Sequence, residues 1–373
     1  MSKIRVLIVD DAVVVRRILT DVFAADPDIE VAGIAANGQI ALAKIEQVNP
    51  DLITLDVEMP GMNGVETVRA IRKTHPKLPV IMFSTLTERG AAATLDALAA
   101  GANDYVTKPA NVGSVSVAME RIREQLIPKI KALAGAVHLL SGAVPQQVMP
   151  PIPAFVPKQI ALPMRADIIA IGTSTGGPNA LAEVIPRLPR NLPVPVVVVQ
   201  HMPPIFTKLL AERLSAQWKC PVKEAEVGDR LEPGHGYIAP GNYHMCLQRR
   251  PDGVYLTLNQ GPQENSCRPS VDVMLRSVVE VYGGNSFAVI MTGMGQDGLR
   301  GCTSVREAGG RVVVQDEPSS VVWGMPGFVA KAGLADRVVP LDQISVEIVR
   351  SIAKHRVSWV PNADAPRTSP AAA

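Results

Sequence analysis

Two groups of residues in this 373-residue sequence have the types and spacing to do chemistry. The first is acidic. Asp10 and Asp11 close the apolar run IRVLIV, Asp56 closes DLITL, Ser84 follows PVIMF, and Lys108 follows DYVT. Three carboxylates drawn into one crevice repel one another, and an oxygen-seeking divalent cation such as Mg²⁺ relieves that repulsion. A lysine and a hydroxyl beside them suit a phosphoryl group, whose oxygens need cationic and hydrogen-bonding partners. The second group is Ser174 in GTSTGGP, His201 in QHMPP and Asp297 in MTGMGQDG. Glycines around a serine permit a tight strand-to-helix turn that sets its hydroxyl among free backbone N–H groups. A histidine can take the hydroxyl proton near neutral pH, and an aspartate can fix the histidine's tautomer. The glycine-rich turn alone would serve a phosphate equally well, although it lacks the lysine of a P-loop and the spacing G-x-G-x-x-G. Singly, these residues also read as helix caps, a surface histidine and a turn former. Their shared position at strand ends carries the chemical reading.

The elements that must position them follow from hydrophobic spacing. From Lys3 to about Glu124, short apolar runs (IRVLIV, IEVAGI, DLITL, PVIMF, DYVTK) alternate with stretches such as GVETVRAIRKT whose apolar residues recur at helical spacing. Five strands alternating with five helices make a doubly wound α/β fold with a parallel sheet, and such sheets bind ligands at the carboxyl ends of their strands. Residues 125–163 change character. Frequent prolines in VPQQVMPPIPAFVPKQIALP forbid a helix there and favour an extended linker. Over 164–355 the alternation returns in DIIAIG, VPVVVVQ, FAVIMTG and RVVVQ, a second α/β domain, with GYIAP, YHMCLQ and GVYLTL expected as hairpin strands at its edge. The tail, 356–373, is expected to be disordered.

Composition narrows the function classes. Hydrophobic residues are 47% and charged residues 19%, a globular balance. A formal charge of +2 from 37 basic and 35 acidic residues leaves no electrostatic footprint for nucleic acid or a membrane surface. The 4 cysteines lack a C-x-x-C pair, so neither a zinc cage nor a disulfide framework is signalled. His235 and His244 with Cys246 lack the ligand spacing of structural zinc and are expected to pack or hydrogen-bond near the hairpin. No signal-peptide core or run of apolar residues long enough to span a bilayer is present, so a cytoplasmic location and no membrane insertion are expected.

At these residues the first 124 positions resemble the receiver domain of bacterial response regulators. The matching pieces are Asp10–Asp11, LDVEMPGMNG around Asp56, Ser84, and Lys108–Pro109. The resemblance implies a flavodoxin-like sheet and phosphorylation of Asp56 by a histidine kinase. It also implies Mg²⁺ held by Asp11, Asp56 and the carbonyl of Glu58 with Asp10 close by, and Ser84 and Tyr105 as the residues that report phosphorylation. The second half resembles the catalytic domain of the chemotaxis protein-glutamate methylesterases, the CheB family. GTSTGGP, QHMPPIFT, IAPGNYHM, RPSVDVML, MTGMGQDG and VWGMPG occur in that order over residues 166–333. This resemblance implies Ser174 as nucleophile, His201 as general base and acid, Asp297 as orienting carboxylate, and a cofactor-free esterase reaction. Backbone N–H groups of Thr175 and Met294 are the candidate oxyanion donors. The substrate expected from it is a γ-glutamyl methyl ester, or a glutamine, on a chemoreceptor. A side chain on a protein helix calls for an open, shallow cleft, the two-domain architecture suggests a receiver that covers the cleft until phosphorylated, and a monomer is the default expectation. The reading from another class is a response regulator whose second domain is a non-enzymatic protein-binding module.

Overall fold

The structure, a computed structural model, describes residues 3–109, 115–140 and 166–352. The chain falls into two compact units divided between Pro150 and Pro151. In the first unit, strands and helices alternate as β1 (Ile4–Val9), α1 (Val13–Ala24), β2 (Ile29–Ala35), α2 (Gly38–Val48), β3 (Leu52–Asp56), α3 (Gly64–Thr74), β4 (Val80–Ser84), α4 (Glu88–Ala99), β5 (Asp104–Thr107) and α5 (Val115–Leu140). The sheet has the order β2-β1-β3-β4-β5, all parallel. Every residue of β3 and β4 is buried, as expected of strands covered by helices on both faces. Polar residues therefore gather where these strands end.

Helix α5 departs from expectation. The change in composition ends this unit at 124 and starts the linker at 125, yet the helix continues to Leu140 with Pro128 inside it. An interior proline costs a helix about 3 kcal/mol. Here a buried stripe of Leu126, Ile127, Ile130, Leu133 and Ala134 offsets that cost. Ion pairs also tie the extension to the unit: Lys129 Nζ lies 2.6 Å from Asp104, and Lys131 Nζ lies 3.0 Å from Asp26 and 2.7 Å from Asp28. The rest of the expected linker, 141–163, and the tail, 356–373, lie outside the described residues.

The second unit runs β6 (Ile168–Thr173), α6 (Gly177–Val184), β7 (Val196–Gln200), α7 (Phe206–Trp218), β8 (Val222–Glu224), β9 (Gly236–Ile238), β10 (His244–Arg250), β11 (Gly253–Asn259), α8 (Val271–Tyr282), β12 (Ser286–Ile290), α9 (Leu299–Glu307), β13 (Arg311–Gln315), α10 (Met325–Lys331), β14 (Arg337–Val339) and α11 (Leu341–Ile352). Seven strands form a parallel sheet in the order β14-β13-β12-β6-β7-β9-β8. The chain leaves β6 for β7 on one side and later returns to place β12 on the other. The order therefore reverses at β6, which opens a crevice at the carboxyl ends of β6 and β12.

Two strand assignments need correcting. Gly236–Ile238, read as part of an edge hairpin, is a strand of the main sheet, paired parallel with β7 and β8. The hairpin β10–β11 is a separate two-stranded antiparallel sheet, not an edge of the larger one. Its alternate residues Met245, Leu247, Val254 and Leu256 join Met274, Leu275 and Val278 of α8 in one hydrophobic cluster. A period-2 apolar face needs a cover, and helix α8 provides it without an eighth strand pairing.

Candidate active site

In the first unit, β1, β3 and β5 deliver Asp10, Asp56 and Lys108 to one place. Lys108 Nζ lies 2.9 Å from Asp10 Oδ2 and 2.8 Å from Asp56 Oδ2. Carboxylate oxygens of Asp10, Asp11 and Asp56 all fall within 4.8 Å of one another. Burial, countered by the hydrogen bond from Lys108 and reinforced by the Asp10 charge, raises Asp56 to about 6. An all-oxygen donor set with surplus negative charge fits a hard divalent cation. Asp11 is exposed, and the Glu58 side chain turns to Arg89, with Oε1 3.4 Å from Nε. Ser84 and Tyr105 do not join this cluster. Ser84 Oγ is fully buried under α4, where it donates to the Gly90 carbonyl at 3.1 Å and accepts from Thr94 Oγ1 at 2.7 Å. Tyr105 is buried, and Lys129 Nζ stands 5.6 Å from its ring centroid.

In the second unit, the three residues singled out by spacing converge at the reversal point. Ser174 follows β6 and His201 follows β7, whose last residues Thr173 and Gln200 are register partners. Asp297 lies in the loop after β12, β6's other neighbour. The turn that carries Ser174 needs its glycines. Gly176 caps α6 at φ 77, a left-handed conformation that suits glycine. A Cβ on Gly177 would collide with Gln200 Oε1 and Thr173 Oγ1. Thr292 supports the turn from below: its carbonyl accepts Ser174 N–H at 3.0 Å and its hydroxyl donates to the Thr175 carbonyl at 2.9 Å. Ser174 is partly exposed and Thr175 buried.

His201 Nε2 is 2.8 Å from Asp297 Oδ2, and Cys267 Sγ lies 3.5 Å from His201 Nδ1. With Nε2 committed to the carboxylate, Nδ1 is the nitrogen left for proton transfer. Burial disfavours the imidazolium, but the hydrogen bonds to Asp297 and then Cys267 outweigh it and raise His201 above the ordinary imidazole value. Asp297 is 1% exposed. Burial works against its charge, yet the bond from His201 and the backbone N–H groups of Val271 and Asp272 hold it at about 2. Its Oδ1 also accepts Ser270 Oγ at 2.8 Å and Asn265 Nδ2 at 3.0 Å. Such a carboxylate stays ionised and fixes the imidazole, so the trio can run acyl transfer through a serine.

Several contributors were not assigned from sequence. Gln200 Nε2 donates to the carbonyls of Ser174 at 3.0 Å and His201 at 3.1 Å, pinning the two strand ends together. Its signal was a polar residue ending an otherwise apolar strand. Asn265, Cys267 and Ser270 reach the site from the segment between β11 and α8, Ser270 within RPSVDVML and the other two just before it. His244 is not a metal ligand with Cys246: Nδ1 accepts Ser270 N–H at 3.2 Å and Nε2 faces the Pro262 carbonyl at 3.0 Å. His235 Nδ1 faces the Pro233 carbonyl at 3.1 Å, away from the site.

Comparison with known proteins agrees with both halves. Residues 6–120 match the family model described as response regulator receiver domain, and residues 169–348 match CheB methylesterase. The chain is 55% identical to a protein of Trichodesmium erythraeum named protein-glutamate methylesterase/protein-glutamine glutaminase, over 94% of this chain and 100% of that protein. A Nocardioides protein of the same name is 52% identical over 97% and 99%. Among solved structures, the Thermotoga maritima CheB methylesterase catalytic domain is 45% identical with a TM-score of 0.49, covering 50% of this chain and 98% of that one. Receiver in front, serine-histidine-aspartate unit behind, and full-length similarity to both relatives lead to one assignment: this chain belongs to the CheB family of protein-glutamate methylesterases/protein-glutamine glutaminases.

Proposed function

We propose that the protein hydrolyses γ-glutamyl methyl esters on chemoreceptors, releasing methanol, and deamidates particular receptor glutamines. The observation that carries this reading is the Asp297–His201 contact of 2.8 Å, beside a serine on the neighbouring strand end. Ser174 Oγ attacks the ester carbonyl while His201 Nδ1 takes its proton. Negative charge on the former carbonyl oxygen falls to backbone donors. Met294 supports that role because its N–H has no hydrogen-bond partner among the described residues. Adjacent Gly293 lies so close that a Cβ there would sit 2.9 Å from Ser174 Cβ. Thr175 N–H is the second proposed donor. Collapse of the intermediate expels methanol, which takes the proton back from Nδ1, and leaves a glutamyl ester on Ser174. Water, deprotonated by Nδ1, then frees glutamate and the serine. With glutamine as substrate, the same steps expel ammonia. Ser174 Oγ makes no hydrogen bond among the described residues, a looseness common before substrate binds.

In the receiver, Asp56 is the proposed acceptor of a phosphoryl group from a histidine kinase. Asp11, Asp56 and the Glu58 carbonyl would hold Mg²⁺ near Asp10, and the ion would neutralise the transferred group's charge. Ser84 and Tyr105 would sense the modification through α4 and β5. The unphosphorylated receiver would shield the catalytic cleft, and phosphorylation would release it, a population shift of a few kcal/mol. The protein would act in the cytoplasm as a monomer; among the described residues no helix is long and apolar enough to cross a membrane. The test is methanol release from methylated receptor membranes by wild type, Ser174→Ala and Asp56→Asn, with and without a small phosphodonor and Mg²⁺. Expected are no release from Ser174→Ala, stimulation of wild type by the donor, and none of Asp56→Asn. A chain beginning after Leu140, so that α5 is removed whole, should be active without the donor. Release from Ser174→Ala at the wild-type rate would refute the mechanism, and an inert truncated chain would refute the shielding.

A further inference from the structure

Beneath the proposed triad, two helices cap one another through their acids. Asp297, just before α9, accepts the first two N–H groups of α8, from Val271 at 2.7 Å and Asp272 at 3.1 Å. Asp272, in the first turn of α8, accepts N–H groups at the start of α9, from Gly298 at 3.0 Å and Gly301 at 2.7 Å. Each carboxylate thus occupies the positive end of the other's helix, where unpaired N–H groups favour an anion. The arrangement sets two negative charges side by side in a buried place: Asp272 is 0% and Asp297 1% exposed. Burial, and also the neighbouring Asp297 charge, raises Asp272 above the ordinary carboxylate range.

One neutral side chain joins them. Asn265 Nδ2 lies 2.9 Å from Asp272 Oδ2 and 3.0 Å from Asp297 Oδ1. Both neighbours are acceptors, so the nitrogen end of the amide must face them. A tight turn delivers it. Glu264 and Cys267 exchange backbone hydrogen bonds of 3.2 and 2.9 Å, with Asn265 at φ 52 and Ser266 at φ 60 between them. Asparagine is among the few residues that adopt this conformation readily. Glu264 anchors the turn to α8 through Arg276, 2.5 Å away. Cys267, two residues after Asn265, presents its thiol to His201 Nδ1. A four-residue turn therefore touches both members of the acid–base pair.

We propose that Asn265 is a positioning residue for the reaction. Its amide divides two hydrogen bonds between Asp272 and Asp297, and so sets how much negative charge Asp297 presents to His201. Asp272 is the second half of the device. The charged and titratable groups facing the two acids are His201 from the end of β7, Cys267 from the turn and the buried Cys302 thiol from α9, with the Glu264–Arg276 ion pair behind. The inference rests on the proposed hydrolase reading, but its main readout does not need turnover.

The test labels the histidines of the full-length protein with ¹³C and follows His201 against pH, its signal assigned by loss in His201→Gln. Asn265→Gly keeps the left-handed turn accessible while deleting the amide. Asp297 then keeps more of its charge, and the His201 midpoint should rise by about half a unit. Asp272→Asn keeps an oxygen for the two glycine N–H groups but removes a negative charge, and the midpoint should fall by about one unit. The acid limb of the methanol-release profile should move in the same two directions. Melting curves identify any variant that fails to fold, and the other then decides. Midpoints that stay at the wild-type value, or that move together in one direction, overturn the proposal. Opposite movements in the two variants, when the wild type releases no methanol, support the charge-setting turn and refute the hydrolase reading.

Discussion

Replacing Asp297 by asparagine tests the site most sharply, because its consequence can be worked from the hydrogen bonds. Oδ1 accepts from Ser270 Oγ (2.8 Å), Asn265 Nδ2 (3.0 Å), and the N–H groups of Asp272 (3.1 Å) and Gly298 (3.1 Å). Oδ2 accepts from Val271 N–H (2.7 Å) and faces His201 Nε2 (2.8 Å). An amide has one oxygen, so its NH₂ must replace one of these acceptors. At Oδ1 it would confront four donors. At Oδ2 it confronts only Val271 N–H, provided the imidazole accepts rather than donates. The second orientation therefore wins, and it leaves one buried donor unpaired at a cost of about 1–3 kcal/mol. His201 must then carry its proton on Nδ1, where no lone pair remains to receive the proton of Ser174. A wrong tautomer costs a serine triad about 10⁴ in kcat, which is roughly 5.5 kcal/mol of transition-state stabilisation. KM should hardly change, since no substrate contact is lost. The assay is methanol release at neutral pH from methylated receptor helices, paired with thermal melting to separate chemistry from folding. A folded Asp297→Asn protein within about tenfold of wild type in kcat would refute the assignment of Nδ1 as the proton acceptor.

Other perturbations reach the groups around the histidine and the serine turn. Cys267→Ala removes a partner that, together with Asp297 and against the effect of burial, raises His201; the acid limb of the rate profile should move to lower pH, and an unmoved limb would show that the thiol does not act on His201. Gly177→Ala drives a methyl into Gln200 and Thr173; overpacking of this kind costs about 1–3 kcal/mol, and activity should fall further than stability because the displaced turn carries Ser174. Equal activity in that variant would contradict the close approach. Acid sensitivity has a defined sign at Asp297. Its carboxyl is lowered from 3.8 to about 2, so its stabilisation is complete above the unfolded value and is lost as pH falls through the folded one. Acid titration of Asp297→Asn should lack the part of the loss that wild type shows in that window.

Much of the site was legible in the sequence because strand ends were legible. Apolar runs broken by Asp10, Asp56, Ser174, His201 and the Asp297 loop place each residue at a carboxyl end, and parallel sheets bring those ends to one edge. Glycines around Ser174 and beside Asp297 declared tight turns, since side chains resist the left-handed conformation found at Gly176 and Gly298. Which residues meet was another matter. Thr173 Oγ1 donates to the Thr292 carbonyl across 119 positions of sequence, a contact that exists because β12 returns to lie beside β6. The reach of α5 past Pro128 depended on a buried stripe and ion pairs to distant acids, which outweigh a local helix breaker. The hairpin's separate place depended on helix α8 claiming its apolar face. Local spacing could nominate a histidine, but only the packed structure decided that Nε2 meets Asp297 and Nδ1 meets Cys267. That choice is made by Asn265, Ser270 and the start of α8, which crowd donors around one carboxylate. Side-chain types and periods are properties of a short stretch of chain, whereas the partner of a buried charge is a property of the whole sheet order.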